Sequence, residues 1–286
     1  MAEGAHPAVA RRRLQIELRR ARERAGLTQK EVADSLGWPA SKLLRIENGT
    51  EGVTAADLRH LLNRYGAQDQ ERVEELTGLA SLSLKLPTAA YGKSVPGSAI
   101  TFWNLRAGAV RVRQFETLLV PGLLQTEDYA REVVAAYSTP DMSRDDVNDR
   151  VAARMDQQNL LDRNDRPDLY FIIDEAAVRR WMGGPRVMRD QVGHLKQVCR
   201  MPRVTLQIVP FERGSYGGIR GPFQILEFSE GEDYVLYLDD DSGGLVSRDT
   251  KAETEPYLTL FWELEEIATA PHETVAFLDD VAAHIE

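Results

Sequence analysis

Between residues 11 and 80 apolar positions recur at helical spacing, and each repeat is closed by a stop signal and reopened by a start signal. Leu14 and Leu18, four apart among arginines, predict a helix over residues 11–24 that Gly26 ends. Thr28 opens a second helix. Glu31, three residues on, completes a capping box, Leu27 can staple onto Val32, and Val32, Ala33 and Leu36 give one apolar face. Gly37 supplies a turn, and Pro39 suits the first position of a third helix, where its missing N–H would be unpaired anyway. Leu43 and Ile46 form the buried side of that helix, and Asn48 and Gly49 stop it. The same start signal recurs at Thr54, with Asp57 three on and Val53 and Leu58 in staple positions, giving a fourth helix to Tyr65. A fifth is predicted over residues 69–80.

After residue 80 the stretch SLSLKLPTAAYGKSVPG breaks the period with serines, glycines and two prolines, so residues 81–97 read as a linker. Beyond it, FETLLV, DLYFIIDE, RVTLQIVPF, GPFQILEF and YVLYLDD predict strands, being β-branched or aromatic runs bounded by Gly, Pro or Asp. Helices are expected over residues 126–137, 145–161, 187–200, 254–269 and 272–284. The fold expected is an all-α five-helix domain over residues 10–80 and a mixed α+β domain over residues 98–286.

Composition supports two cores: the chain has 286 residues and 43% hydrophobic content. No apolar run approaches the roughly 18 residues of a membrane span, and MAEGAHPAVARRR lacks the apolar core of a signal peptide, so a cytoplasmic protein is expected, with no membrane association. The single cysteine, Cys199, excludes an internal disulfide and a multi-thiolate zinc site, and reads as a small buried thiol. The net charge of −10 is unevenly spread. Residues 1–66 carry 12 Lys/Arg against 8 Asp/Glu, whereas the remaining 220 residues carry 23 against 37. A net of +4 suits a nucleic-acid partner for the first part; a net of −14 makes the second repel DNA and steer basic partners.

Two helices joined through a short glycine-containing turn are common packing units as well as DNA readers. The residue types decide between these. With Leu43 and Ile46 committed to a core, Ala40, Ser41, Lys42, Leu44 and Arg45 are left outward near the N-terminal end of the third helix, the end that enters the major groove in a helix-turn-helix. Arg45 and Lys42 can bond guanine O6 and N7, Ser41 a base or phosphate, and Ala40 and Leu44 a thymine methyl. Gln29 begins the second helix, where that helix would cross the backbone, and Thr28 and Asn48 complete the candidate contact set.

The stretch GLTQKEVADSLGWPASKLLRIENG, residues 26–49, closely resembles the Cro/C1-type, or xenobiotic-response-element, helix-turn-helix family. That resemblance implies a five-helix bundle, a DNA contact by Gln29, and an ion pair between Glu47 and an arginine of the first helix, here Arg19. The second half resembles an actinobacterial, antitoxin-like group of these regulators through VPGLLQTEDYA, the ARM of residues 151–161, DEAAVRRWMGGPRVMRDQVGHL, VTLQIVPF and GPFQILEF. This implies a small partner protein encoded nearby. WPASK replaces the usual Trp-Ser-Pro-Ser-Lys order and Leu44 a frequent serine, both on the reading surface, so the target sequence does not transfer.

A search of the second half for chemistry returns structural readings. GGP (183–185) and GSYGGIRGP (214–222) fit no phosphate-cradle spacing and read as turns, and no GxSxG elbow is present. His194 and Cys199, five apart, do not share a helical face as metal ligands would. The acidic runs Asp174–Glu175 and Asp239–Asp240–Asp241 at strand ends lack convergent partners for Mg²⁺, and Trp103, Tyr170, Trp181, Tyr234, Tyr237 and Trp262 read as core. The expectation is a homodimeric, sequence-specific transcriptional regulator that binds double-stranded DNA, is gated by a partner protein, uses no cofactor and no metal, and is not an enzyme. The alternative is a DNA reader fused to a small-molecule-sensing or enzymatic domain.

Overall fold

The computed structural model describes residues 6–67, 69–86, 94–139, 142–229, 233–239 and 245–285. The chain divides into two compact units, residues 1–89 with 100–108, and residues 90–99 with 109–286.

The first unit is built on α1 (Pro7–Arg24), α2 (Gln29–Leu36), α3 (Ala40–Asn48), α4 (Ala55–Arg64) and α5 (Gln70–Ser83). Start signals act through caps. The Thr28 hydroxyl accepts from the Glu31 N–H at 3.2 Å while the Glu31 carboxylate accepts from the Thr28 N–H at 2.8 Å, and Thr54 accepts from the Asp57 N–H at 3.1 Å. Leu14 and Leu18 of α1 pack with Val32, Leu43, Ile46, Leu58, Leu61, Leu76 and Leu79 in one core. Each of the largest of these stabilises the unit by about 1.5–3 kcal/mol relative to exposure. Pro39 caps α3 from outside, so helical geometry begins at Ala40, one residue later than expected. Helix α5 runs past residue 80 to Ser83, and a further helix, α6 (Gly97–Ala107), crosses the expected end of the linker. Its apolar residues sit at 99, 100, 102, 103 and 105, a crowding that shows no clean stripe, and residues 100–108 group with the first unit.

In the second unit, β1 (Arg111–Glu116), α7 (Glu127–Ala136), α8 (Arg144–Gln158), β2 (Asp168–Asp174), α9 (Ala176–Arg179), α10 (Gly184–Val198) and β3 (Val204–Val209) come first. Next come β4 (Phe223–Ser229), β5 (Asp233–Asp239), β6 (Leu245–Arg248), α11 (Lys251–Ile267) and α12 (Thr274–Ala283). The sheet order is β3-β2-β1-β4-β5-β6, with β1, β2 and β3 parallel and the remaining neighbours antiparallel. Helical crossovers are what parallel neighbours require. Phe115, Ile172, Val209, Phe223, Ile225 and Leu236 form one sheet face against Leu258, Phe261 and Leu264 of α11. Edge strand β3 is covered where the Thr269 N–H donates to the Ile208 carbonyl at 2.8 Å and the Thr274 hydroxyl to the Leu206 carbonyl at 2.9 Å.

The first strand corrects the expectation. It is RVRQFE, residues 111–116, and of the expected FETLLV only Phe115 and Glu116 are in it. Arg111 and Arg113 point to the α11 face because both pair with the buried Glu227, at 3.0 and 2.9 Å, so charge occupies positions where alternation demands a buried side chain. The apolar TLLV run instead begins a turn, in which the Val120 N–H donates to the buried Tyr129 hydroxyl at 3.1 Å. Strand β6 was not anticipated. No helix among the described residues is long and apolar enough to cross a membrane.

Candidate nucleic-acid interface

Gly37 and Gly49 bracket α3, each with positive φ, at 66° and 74°. Around Gly37 the space is open, so only the left-handed conformation demands glycine; at Gly49 a Cβ would also collide with the Gln15 side chain. Between them α3 buries Leu43, Ile46 and Glu47. This leaves Ala40, Ser41, Leu44, Arg45 and Asn48 exposed and Lys42 half-buried, all on the outward side as the spacing predicts. Leu44 is 44% exposed, far more than a leucine with a core role would be.

Beneath this surface lies a polar network. Glu47, 1% exposed, receives both Arg22 nitrogens, Nε at 2.7 Å and Nη2 at 3.1 Å, a two-pronged arrangement suited to carboxylate. The expected pair with Arg19 is therefore corrected. Arg19 donates to the Glu47 backbone carbonyl at 3.3 Å, while Arg22, one turn on, reaches the carboxylate and also the Leu27 carbonyl at 2.8 Å. The bond to Glu47 raises the Arg22 pKa, with burial opposing it. Burial first, and the Glu47 charge second, push the Tyr65 hydroxyl up beside them. Gln29 joins the same network, its Nε2 donating to Glu47 at 2.8 Å. One of the two amide N–H groups is thus committed. Thr28, exposed at the cap, spends its hydroxyl on the Glu31 bonds.

The outward cations are held as well. Lys42 donates to Asp57 at 2.9 Å with its ammonium 3.9 Å from the Trp38 ring centre, and Arg45 pairs with Glu51 at 2.7 Å. These carboxylates, Asp57 and Glu51, escaped the sequence reading, which treated Asp57 only as part of a start signal.

In the second unit the motif residues of VPGLLQTEDYA tie elements together. Gln125 bonds the Val120 carbonyl at 2.8 Å and accepts from Arg154 at 3.0 Å, and the fully buried Gln191 accepts from the Thr126 N–H at 2.8 Å. Asp174 accepts from the Ala176 N–H at 2.8 Å and from the Tyr216 hydroxyl, while Glu175 holds Arg179 at 2.8 Å and the Phe211 N–H at 2.7 Å. Both acids are thereby engaged in structure. Gly183, Gly184, Gly214 and Gly221 all have positive φ, in keeping with turns. Asp240 and Asp241 lie outside the described residues, as does the Asp239 side chain. Among the described residues no three His, Cys, Asp or Glu side chains converge as metal ligands would. Burial lowers the His194 pKa and pushes the half-buried Cys199 thiol up to about 11. Trp181 and Trp262 depart from the expected core role, at 47% and 52% exposed.

A helix-turn-helix domain model matches residues 13–76, and the model of a domain of unknown function, DUF5753, matches residues 100–280. No curated protein and no solved structure matches the chain.

Proposed function

We propose that this chain, which belongs to the DUF5753 family by the match over most of its length, is a sequence-specific transcriptional regulator of the Cro/C1 type whose second unit gates DNA binding. The helix-turn-helix domain makes it a DNA-binding regulator. The observation that carries the sequence-specific reading is the exposed row Ala40, Ser41, Leu44, Arg45 and Asn48 on α3, mounted over the buried Arg22–Glu47–Gln29 network. That network joins α1, α2 and α3, so the Gln29 amide and the reading row are held in one register, as a backbone contact and a base contact must be. A module this small touches few base pairs, and two copies on a two-fold site supply the affinity; the active species is a homodimer in the cytoplasm.

The gate is a small partner protein of the antitoxin-like kind that binds one state of the dimer better than the other, because only such a difference in affinity can change DNA binding. Selection of the full-length protein on random duplexes, followed by titration at two salt concentrations, tests the reading. A recurrent two-fold site with salt-sensitive affinity is the expected result. Binding that ignores sequence, or none at any salt, would falsify it.

A further inference from the structure

Three parallel strands end at one edge of the sheet, and the segments that leave them carry side chains that the fold does not use. Leu118 follows β1, Trp181 follows β2 through α9, and Phe211 and Ile219 follow β3; they are 53%, 47%, 57% and 64% exposed. A single exposed apolar residue is ordinary, but four on neighbouring strand ends are not what a solvated edge requires. Interleaved with them are Arg180, Arg213 and Arg220, all exposed. None forms an ion pair among the described residues, whereas eight other arginines of the same unit do. Arg150, Arg154, Arg166 and Arg189 bond carbonyl or amide oxygens instead, and Arg144 and Arg200, on α8 and after α10, are likewise exposed without an ion pair, but singly and away from the strand ends. This contrast occurs where carboxylates are in excess, 37 against 23 basic groups over residues 67–286. The segments 117–122, 175–186 and 210–222 reverse that balance, with five arginines against Glu175 and Glu212.

We propose that this strand-end rim is a seat for an acidic, amphipathic protein segment, its apolar residues covering Trp181 and Phe211 and its carboxylates taking the free arginines. This rests on the reading that the second unit binds a partner protein, and it reverses the sign that the net charge of the unit suggests for the contact. Aromatic and arginine side chains are those enriched where protein interfaces concentrate their energy. The guanidinium fork matches a carboxylate in two bonds. The seat is preformed: Glu175 fixes the start of the 210–222 segment through the Phe211 N–H at 2.7 Å. Farther along, Tyr216 bonds Asp174 and stands edge-on to Phe115 at 6.1 Å between ring centres. Little ordering cost then remains for the bound state.

The test is a phage-display selection of random peptides on the full-length chain, with the enriched sequences synthesised and their affinity measured. Peptides combining Leu, Phe or Trp with Asp or Glu are expected. Their affinity should fall about tenfold or more, about 1.4 kcal/mol, in Phe211→Ala/Arg213→Glu and in Trp181→Ala, and should weaken with salt. Melting temperature and operator affinity of the variants, read in the same preparations, should match the parent, and Arg220→Gln provides a milder change if the double variant misfolds. Enrichment of basic peptides, no enrichment, or capture of duplex DNA by the same residues would overturn the proposal. So would a drop in the mass of the protein by light scattering in the arginine variants, which would make the rim a contact between copies. Acidic peptides whose affinity ignores all these variants would remove the seat while leaving a partner-binding unit in place.

Discussion

On α3 the basic side chains Lys42 and Arg45 each rest on a carboxylate, at 2.9 and 2.7 Å, whereas at the strand ends of the second unit Arg180, Arg213 and Arg220 hold none among the described residues. A cation already paired contributes little net attraction to a passing phosphate, because the neighbouring carboxylate repels what the cation draws in. Binding there becomes an exchange of one partner for another, and it succeeds only where the incoming groups offer better geometry than Asp57 or Glu51. In the proposed DNA-reading role, such an arrangement would lower affinity for every duplex and lower it least for the correct one, which is how repulsive elements produce specificity. At Arg180, Arg213 and Arg220 no ion pair among the described residues must be exchanged, so charge there acts at longer range and with less discrimination. Sign alone would have equated the two surfaces.

The largest effect expected is at the base of the reading surface. Glu47→Ala leaves the Arg22 guanidinium and the Gln29 amide without their acceptor at a nearly solvent-free position, and breaking a buried pair in this way costs about 3–5 kcal/mol. Urea unfolding of the full chain should show an early loss of the first unit. Arg19→Ala, which removes only a 3.3 Å bond to a carbonyl, should cost about 1 kcal/mol or less. Equal losses for Arg19→Ala and Arg22→Ala would return the ion pair to Arg19.

Thr28 with Glu31, Thr54 with Asp57, and the left-handed Gly37 and Gly49 were legible because capping and turn chemistry act within four residues. Choosing between Arg19 and Arg22 requires the rotation of α1 against α3, and residues three apart on one helix share a face, so spacing favours neither. The same limit hid Asp57 and Glu51 as partners of Lys42 and Arg45 and misplaced β1, whose arginines look solvent-facing until Glu227, over a hundred residues away, is brought beside them. The mixed sheet itself was legible from its β-branched and aromatic runs. Its order, and the convergence of three strand ends into one rim, depended on pairings at long range.

At the reading surface the effects are smaller and distinguish roles. Arg45→Ala should cost about 1–3 kcal/mol at the selected site and relax one base position, seen as a lost preference when selection is repeated with the variant. Gln29→Ala should weaken all sites alike, as the proposed phosphate contact, which carries no sequence information, requires. Asp57→Asn should strengthen binding to every duplex by about 0.2–1 kcal/mol, as expected for releasing a partly exposed pair, and narrow the gap between correct and random sequence. The gain should vanish in a Lys42→Ala background. Unchanged affinity in Asp57→Asn would mean that Lys42 takes no part in binding DNA.

At the strand ends the expected changes in stability are slight. Arg213→Gln and Arg220→Gln remove exposed cations that pair with no carboxylate among the described residues, so each should alter stability by less than about 0.5 kcal/mol. Arg179→Gln, in the same region, takes a donor from Glu175, which is 7% exposed and would keep only the Phe211 N–H at 2.7 Å; it should cost about 1 kcal/mol or more. The three variants change the same charge by the same amount, so long-range electrostatics alone predicts equal shifts in urea midpoint. A clear loss confined to Arg179→Gln would show that pairing, and not charge, governs stability at the strand ends. A matching loss in Arg213→Gln or Arg220→Gln would show that those arginines serve the fold and are not held in reserve for a partner.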